Sequence, residues 1–280
     1  QETMRLPLVL NSFYRVFAQN LPESIKPSMR GLYNEINKIL TYGFREKDIF
    51  TALDFEINSH CNLECSYCPA SFKDGRGKHL MPFETFKKAI DDLSRINYSG
   101  RISPHFFGEP LLDDRLPELM AYAREKLPNA EIIIHTNGIR LSKEKYDACM
   151  SAGVTGFLVT KHTKMMPKNI VDIVKSKYAE HGTIKVRSIE NLTLFNRSGL
   201  VKPKKERKMK RCFYLSDEIS ITHTGNVVCT NDFGETHVFG NVNEYNLLDI
   251  WNSNEFKTVR KEIKKGIFNL DMCKKCAGIK

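Results

Sequence analysis

The sequence predicts an α/β fold: a partial (β/α) TIM-like barrel followed by a small C-terminal metal-binding domain. Three observations carry this. From Thr51 onward, short apolar runs alternate with amphipathic stretches at a spacing near 30 residues, the size of a βα unit with a parallel sheet. Cys61 follows the first apolar run by four residues, at the strand end where barrel chemistry gathers. The rhythm then stops near Asn191, and four further cysteines lie beyond it.

Taken in order, the candidate strands are Ala52–Ile57, Arg101–Phe107, Glu131–His135, Val154–Thr160 and Ile184–Ile189. Amphipathic stretches such as Phe83–Ile96 and Ser142–Ala152 lie between them. Before the first strand, Phe13, Val16, Phe17 and Leu21 make one helical stripe and Leu32, Ile36 and Leu40 another, so residues 1–50 read as a helical extension. Residues 51–190 are the barrel and 191–280 the C-terminal domain. Within the latter, Glu218–Cys229 reads as a hairpin turning at Thr224-Gly225-Asn226. Leu247, Ile250 and Trp251, then Phe256, Val259 and Ile263, have helical spacing.

Composition narrows the function classes. Of 280 residues, 41% are hydrophobic, enough for a sizeable core. There is no run of roughly 18 apolar residues and no secretory leader pattern, so a cytoplasmic protein without membrane contact is expected. Eight cysteines in a secreted chain would read as disulfides, but their clustering points to metal in a reducing compartment. The net charge is +10 and uneven: Lys202 to Arg211 holds seven basic residues and one acidic. No aromatic interleaves that run, which argues against a nucleic-acid surface. It reads as a solvated loop, or as a flap that attracts an anionic substrate or partner.

Cys61, Cys65 and Cys68 form C-x3-C-x2-C. Three thiolates hold three corners of a [4Fe-4S] cluster and leave the fourth iron open to bind and reduce a small molecule. Structural zinc usually pairs two C-x2-C knuckles and closes four ligands, so the spacing favours iron–sulfur. Cys212, Cys229, Cys273 and Cys276 form a complete quartet that can close a second [4Fe-4S] cluster or a zinc ribbon. The first motif in the same chain favours the cluster. Cys149 sits in K-E-K-Y-D-A-C-M-S-A-G, a predicted barrel helix, and reads as a small buried hydrophobe.

The C-N-L-E-C-S-Y-C segment resembles the nucleating motif of radical S-adenosylmethionine (SAM) enzymes, and the later quartet resembles the shortened auxiliary-cluster domain, called Twitch, of some members. The longer SPASM relative adds cysteines after the final pair, which this sequence lacks. The resemblance implies SAM and two [4Fe-4S] clusters as cofactors. It also implies that the open iron chelates SAM, whose cleavage releases a 5′-deoxyadenosyl radical. Gly108-Glu109-Pro110 resembles the motif that supports the amino group of SAM, with Gly108 allowing close backbone approach and Glu109 suiting an ammonium. Tyr67 fills the aromatic slot that lies by the adenine in the family. Asn137 and Thr160 end the third and fourth strands, as SAM contacts or as ordinary turn and capping chemistry.

Further segments, among them Gly100–Ser103, Phe157–Thr160 and Asp249–Trp251, resemble members that oxidise a secondary alcohol. In these, Asn196-Arg197 matches a segment carrying a proposed proton acceptor. An arginine stays protonated, so Arg197 suits orienting or stabilising an oxygen better than accepting a proton. The resemblance therefore implies an oxidoreductase. A radical would abstract a hydrogen from a polar small molecule, a sugar, aminocyclitol or related, possibly anionic, and the auxiliary cluster would accept the electron. A radical SAM epimerase and a peptide-modifying maturase are the alternatives. An external donor such as flavodoxin or ferredoxin would supply reducing electrons.

Overall fold

The computed structural model describes residues 49–71, 77–162, 168–175, 183–191, 194–202 and 208–279. The expected N-terminal helical stripes and residues 203–207 of the basic run lie outside the described residues. Ile49–Lys280 forms one compact unit.

Five βα-type strands come first: β1 (Ala52–Phe55), β2 (Arg101–Ser103), β3 (Glu131–Thr136), β4 (Gly156–Lys161) and β5 (Ile184–Ser188). Three more follow, β6 (Glu218–Ile221), β7 (Asn226–Val228) and β8 (Gly240–Asn241). They share one sheet in the order β5-β4-β3-β2-β1-β6-β7-β8. Pairing is parallel from β5 through β6, with Ala52 opposite both Arg101 and Glu218, and antiparallel from β6 to β8. The sheet thus has the parallel strands of a partial barrel, extended on one side by the hairpin.

The expected strand Arg101–Phe107 stops at Ser103. Pro104 has no backbone N–H to continue the ladder. The hairpin turns as expected, with Gly225 at φ 91°, a left-handed conformation that glycine adopts freely.

Seven helices cover the described chain: α1 (Phe83–Ser94), α2 (Leu116–Lys126), α3 (Lys143–Ser151), α4 (Lys168–Lys175), α5 (Leu247–Asn252), α6 (Asn254–Lys265) and α7 (Asp271–Ala277). Helix α1 shows how they dock. Phe86, Ala89, Ile90 and Leu93 recur at helical spacing and are fully buried. Each large one stabilises the fold by about 1.5–3 kcal/mol. They share one core with alternate strand residues, among them Leu53, Phe55, Ile102, Ile134 and Ile219. Ser142 caps α3, accepting from Lys145 N at 3.2 Å, and Cys149 is buried on that helix, 1% exposed.

The intervening strand residues are polar. Asp54 and Ser220 stand opposite each other on β1 and β6, Asp54 and Ser103 on β1 and β2, and Arg101, His135 and Glu218 lie on the same set of strands. A closed barrel normally fills that interior with branched apolar side chains. Here it holds a network of charges instead.

Candidate active site

Three loops meet at the C-terminal ends of β1, β2 and β3. The loop after β1 carries Cys61, Cys65 and Cys68. Backbone N–H groups of Leu63 and Ala70 donate to the sulfurs of Cys61 and Cys68. Asn137, just past β3, donates from Nδ2 to Asn62 Oδ1 at 2.9 Å and lies 3.9 Å from the Cys61 sulfur. The Tyr67 hydroxyl is hydrogen-bonded to His162 Nδ1, which ties the loop to the end of β4.

The loop after β2 carries Gly108-Glu109-Pro110. Gly108 is required by a crossing of chains: a Cβ there would lie 2.2 Å from the Asn58 backbone oxygen. Asn58 Nδ2 in turn donates to the Glu109 backbone oxygen at 2.8 Å. The Glu109 carboxylate is buried, 3% exposed. It accepts from the Thr136 hydroxyl at 2.5 Å, Asn137 N at 2.8 Å and Leu111 N at 3.2 Å. Burial pushes its pKa up, against those donors and the nearby Lys145. A carboxylate has about four lone-pair sites, so about one remains for a further donor such as an ammonium. Pro110 is buried at the start of a 3-10 turn. Thr160 is drawn to a different partner, its hydroxyl accepting from Arg187 Nε on β5 at 2.9 Å.

The second cysteine set is drawn from the segment before β6, the segment after β7 and helix α7. Cys212, Cys229, Cys273 and Cys276 line one cavity, with Ser198 and Asn231 on its wall. The Asn231 N–H donates to the Cys229 sulfur and the Ser198 N–H to that of Cys276. Burial, then crowding by Cys212 and Cys276, pushes Cys273 up to about 12. Cys229 is driven well above its usual value by the same causes. Cys61 is pushed up to about 11, chiefly by burial. Among the described residues, no three Cys, His, Asp or Glu side chains converge on a single ion. Thiols spread around a cavity suit a four-iron cube, whose corners each take one thiolate, better than a mononuclear zinc.

Arg197 lies between the sets. Its guanidinium stands over the Phe107 ring at 5.2 Å and donates to Asn231 Oδ1 at 2.6 Å. Enclosure lowers its pKa, while Cys68 of one set and Cys276 and Cys229 of the other act to raise it. Phe106, Phe107, Val228 and Phe233 form an apolar wall that also touches Cys68.

The sequence reading did not find the charged ring inside the half-barrel. Arg101 bonds Glu218 at 2.5 Å and lies 3.5 Å from Asp54. Arg101 Nη1 meets His135 Nε2 at 3.1 Å, His135 Nδ1 meets His105 Nε2 at 3.2 Å, and His105 Nδ1 lies 3.8 Å from Asp54 Oδ1. Arginine only donates, so His135 carries its proton on Nδ1 and His105 on Nδ1 in turn. Neither ring can take a second proton without setting N–H against N–H. Burial, then neighbouring cations, pushes His135 to about 3, and burial with His135 and the arginines holds His105 well below the usual range. Asp54 is pushed up by burial and by Glu218, partly offset by Arg101. The only sequence signal was polar residues at inward strand positions.

A pH dependence follows. Both histidines are depressed below about 6.5, their unfolded value. Their stabilising contribution is complete above that pH and is lost as pH falls toward 3, because the unfolded chain binds protons first. Urea unfolding at pH 4.5 should show a loss of about 1–2 kcal/mol per histidine relative to pH 7, discounted for partial exposure. His135→Gln should flatten that slope; an unaltered slope would exclude the ring as its source.

The fold and this paired-cysteine site define a radical SAM enzyme with an auxiliary iron–sulfur domain. Residues 55–163 match the Radical SAM superfamily and residues 212–277 match SPASM, an iron-sulfur cluster-binding domain. The chain belongs to the radical SAM superfamily. It is 32% identical over 82% of its length, and 94% of the relative's, to S-adenosyl-L-methionine-dependent 2-deoxy-scyllo-inosamine dehydrogenase of Niallia circulans. The crystal structure of BtrN in complex with AdoMet and 2-DOIA superposes with a TM-score of 0.76 at 31% identity, covering 82% of this chain and 93% of that one. BtrN in an open conformation gives 0.65 at 30% identity, over 83% and 94%. The chain is a radical SAM oxidoreductase that uses SAM and two [4Fe-4S] clusters. Its substrate is a small molecule. Among the described residues, no helix is long and apolar enough to cross a membrane.

Proposed function

We propose that this enzyme oxidises a secondary alcohol of a sugar, aminocyclitol or related polar molecule to a ketone. The observation that carries the reading is the position of Arg197, which bonds Asn231 just past Cys229 of one set and stacks on Phe107, part of the wall that touches Cys68 of the other. The Niallia circulans relative, named for dehydrogenation of 2-deoxy-scyllo-inosamine, supports the substrate class.

Cys61, Cys65 and Cys68 hold the SAM-binding cluster, and Cys212, Cys229, Cys273 and Cys276 the auxiliary one. When bound, SAM and the clusters supply a hydrogen-abstracting 5′-deoxyadenosyl radical and an electron acceptor. The remaining work falls to side chains. The Gly108–Pro110 loop and Asn137 form the amino-group end of the SAM pocket, Tyr67 the adenine side and Thr160 the β4 edge. Glu109 offers its remaining lone pair to the ammonium. Arg197, always a donor, orients the substrate oxygen. The wall of Phe106, Phe107 and Phe233 excludes water from that oxygen.

Oxidation is favoured over cysteine-based hydrogen return. Seven of the eight cysteines fall into the two sets, and Cys149 is buried in the core on α3. A small external donor, flavodoxin or ferredoxin, supplies the reducing electron, and the basic run 202–211 draws in an anionic substrate or partner.

The test uses substrate deuterated at the carbinol carbon. The label should appear in 5′-deoxyadenosine, with a ketone two mass units lighter than unlabelled substrate. Unlabelled substrate turned over in heavy water and returned one mass unit heavier, with one solvent deuteron, would establish epimerisation instead.

A further inference from the structure

Three successive residues, Arg197, Ser198 and Gly199, hold left-handed backbone, with φ of 50°, 56° and 86°. The conformation is unfavourable for any residue with a Cβ, so two such residues in a row persist only where their surroundings fix them. The surroundings are the walls of the auxiliary site. Asn196 Nδ2 donates to the Lys275 oxygen at 2.7 Å, tying the turn to α7 beside Cys276. Arg197 Nη1 donates to Asn231 Oδ1 at 2.6 Å and Ser198 Oγ to the Asn231 oxygen at 3.4 Å, tying it to the segment after Cys229.

The strained turn accomplishes two things. It sets Ser198 in the wall of the cavity that Cys212, Cys229, Cys273 and Cys276 line, with its N–H toward the Cys276 sulfur. It also sets the Arg197 guanidinium within electrostatic reach of Cys276, Cys229 and Cys68. Orienting a substrate oxygen would need only the guanidinium and leaves unexplained why buried Ser198 is held in the cysteine-lined wall. On a cluster, both features act in one direction. Donors to sulfur and nearby positive charge stabilise the reduced, more negative state.

We propose that the Arg197–Gly199 turn is a positioning element that raises the reduction potential of the cluster held by Cys212, Cys229, Cys273 and Cys276, fitting it to accept the substrate's electron. The proposal rests on the alcohol-oxidising reading above. Converting C–OH to C=O removes a hydrogen atom from carbon, which passes to the 5′-deoxyadenosyl radical. It also removes a proton from oxygen, which passes to the medium, and one electron, which passes to the auxiliary cluster. Ser198 acts on the last transfer, and Arg197 acts on it in addition to orienting the substrate oxygen.

The experiment is a redox titration of anaerobically reconstituted full-length enzyme, followed by electron paramagnetic resonance with SAM present to separate the two clusters' signals. Arg197→Gln should lower the auxiliary midpoint, so that at fixed solution potential the reduced-to-oxidised ratio falls about tenfold, 59 mV for a one-electron couple. Arg197→Lys, which keeps the charge, should stay near the wild type. Asn231→Ala, which releases the guanidinium without removing it, should shift the midpoint less and in the same direction, and it decides the matter if Arg197→Gln does not load iron. An unmoved midpoint in an iron-replete Arg197→Gln, or in Asn231→Ala, overturns the proposal, as does a fall in Arg197→Lys equal to that in Arg197→Gln. A wild-type product two mass units lighter, alongside an unmoved midpoint, keeps the alcohol-oxidising reading and removes only this proposal. A product of unchanged mass removes that reading whatever the midpoint does.

Discussion

Replacing Cys61, Cys65 and Cys68 together by alanine should leave about four of about eight irons per chain and abolish reductive cleavage of SAM to 5′-deoxyadenosine and methionine. The two cysteine sets draw on separate elements, the loop after β1 and the cavity walled by α7 and the hairpin, so one can be emptied while the other loads. Alanine at Cys212, Cys229, Cys273 and Cys276 should also leave about four irons. That variant should still cleave SAM but form no ketone. Iron quantitation and chromatography of 5′-deoxyadenosine read both outcomes. A wild-type protein holding about four irons with bound zinc would return the second set to a structural role.

Glu109→Gln should weaken SAM binding at least about tenfold, or about 1.4 kcal/mol, and should be no milder than Glu109→Ala. The side chain is surrounded by donors: the Thr136 hydroxyl and the Asn137 and Leu111 N–H groups. An amide offers one oxygen, and its NH2 would face a backbone donor in a buried site. Each unsatisfied buried group costs about 1–3 kcal/mol. Calorimetric titration of the iron-loaded variant with SAM checks this. Unchanged affinity would detach the Gly108–Pro110 loop from the amino end of SAM.

Local patterns made much of this protein legible. Short apolar runs recurring between amphipathic stretches located β1 through β5, and turn chemistry at Gly225 located the hairpin. Pro104 cut β2 short by a rule visible in the sequence, although the apolar run continues past it. Helix α7 was less legible because its C-x2-C reads as metal chemistry before it reads as a helical turn. The cysteines and Gly-Glu-Pro stood out by spacing, but the reason for Gly108, the approach of Asn58, depends on a contact between distant segments. The ring of Asp54, Arg101, His105, His135 and Glu218 was least visible. Its members come from four strands and the loop after β2, and only the register of Ala52 with Arg101 and Glu218 brings the arginine to its carboxylate.

The pairing of β1 with β6 has a consequence for synthesis of the chain. Ala52 leaves the ribosome 166 residues before its partner Glu218. At about 5–20 residues per second, that is on the order of 10–30 s. During that interval β1, whose four residues are all buried in the finished fold, has an open edge that invites pairing with other chains. The loop bearing Cys61, Cys65 and Cys68 springs from this strand, so a nascent chain arrested before residue 212 should aggregate rather than accept iron. On this expectation the first cluster loads only after the C-terminal hairpin is complete.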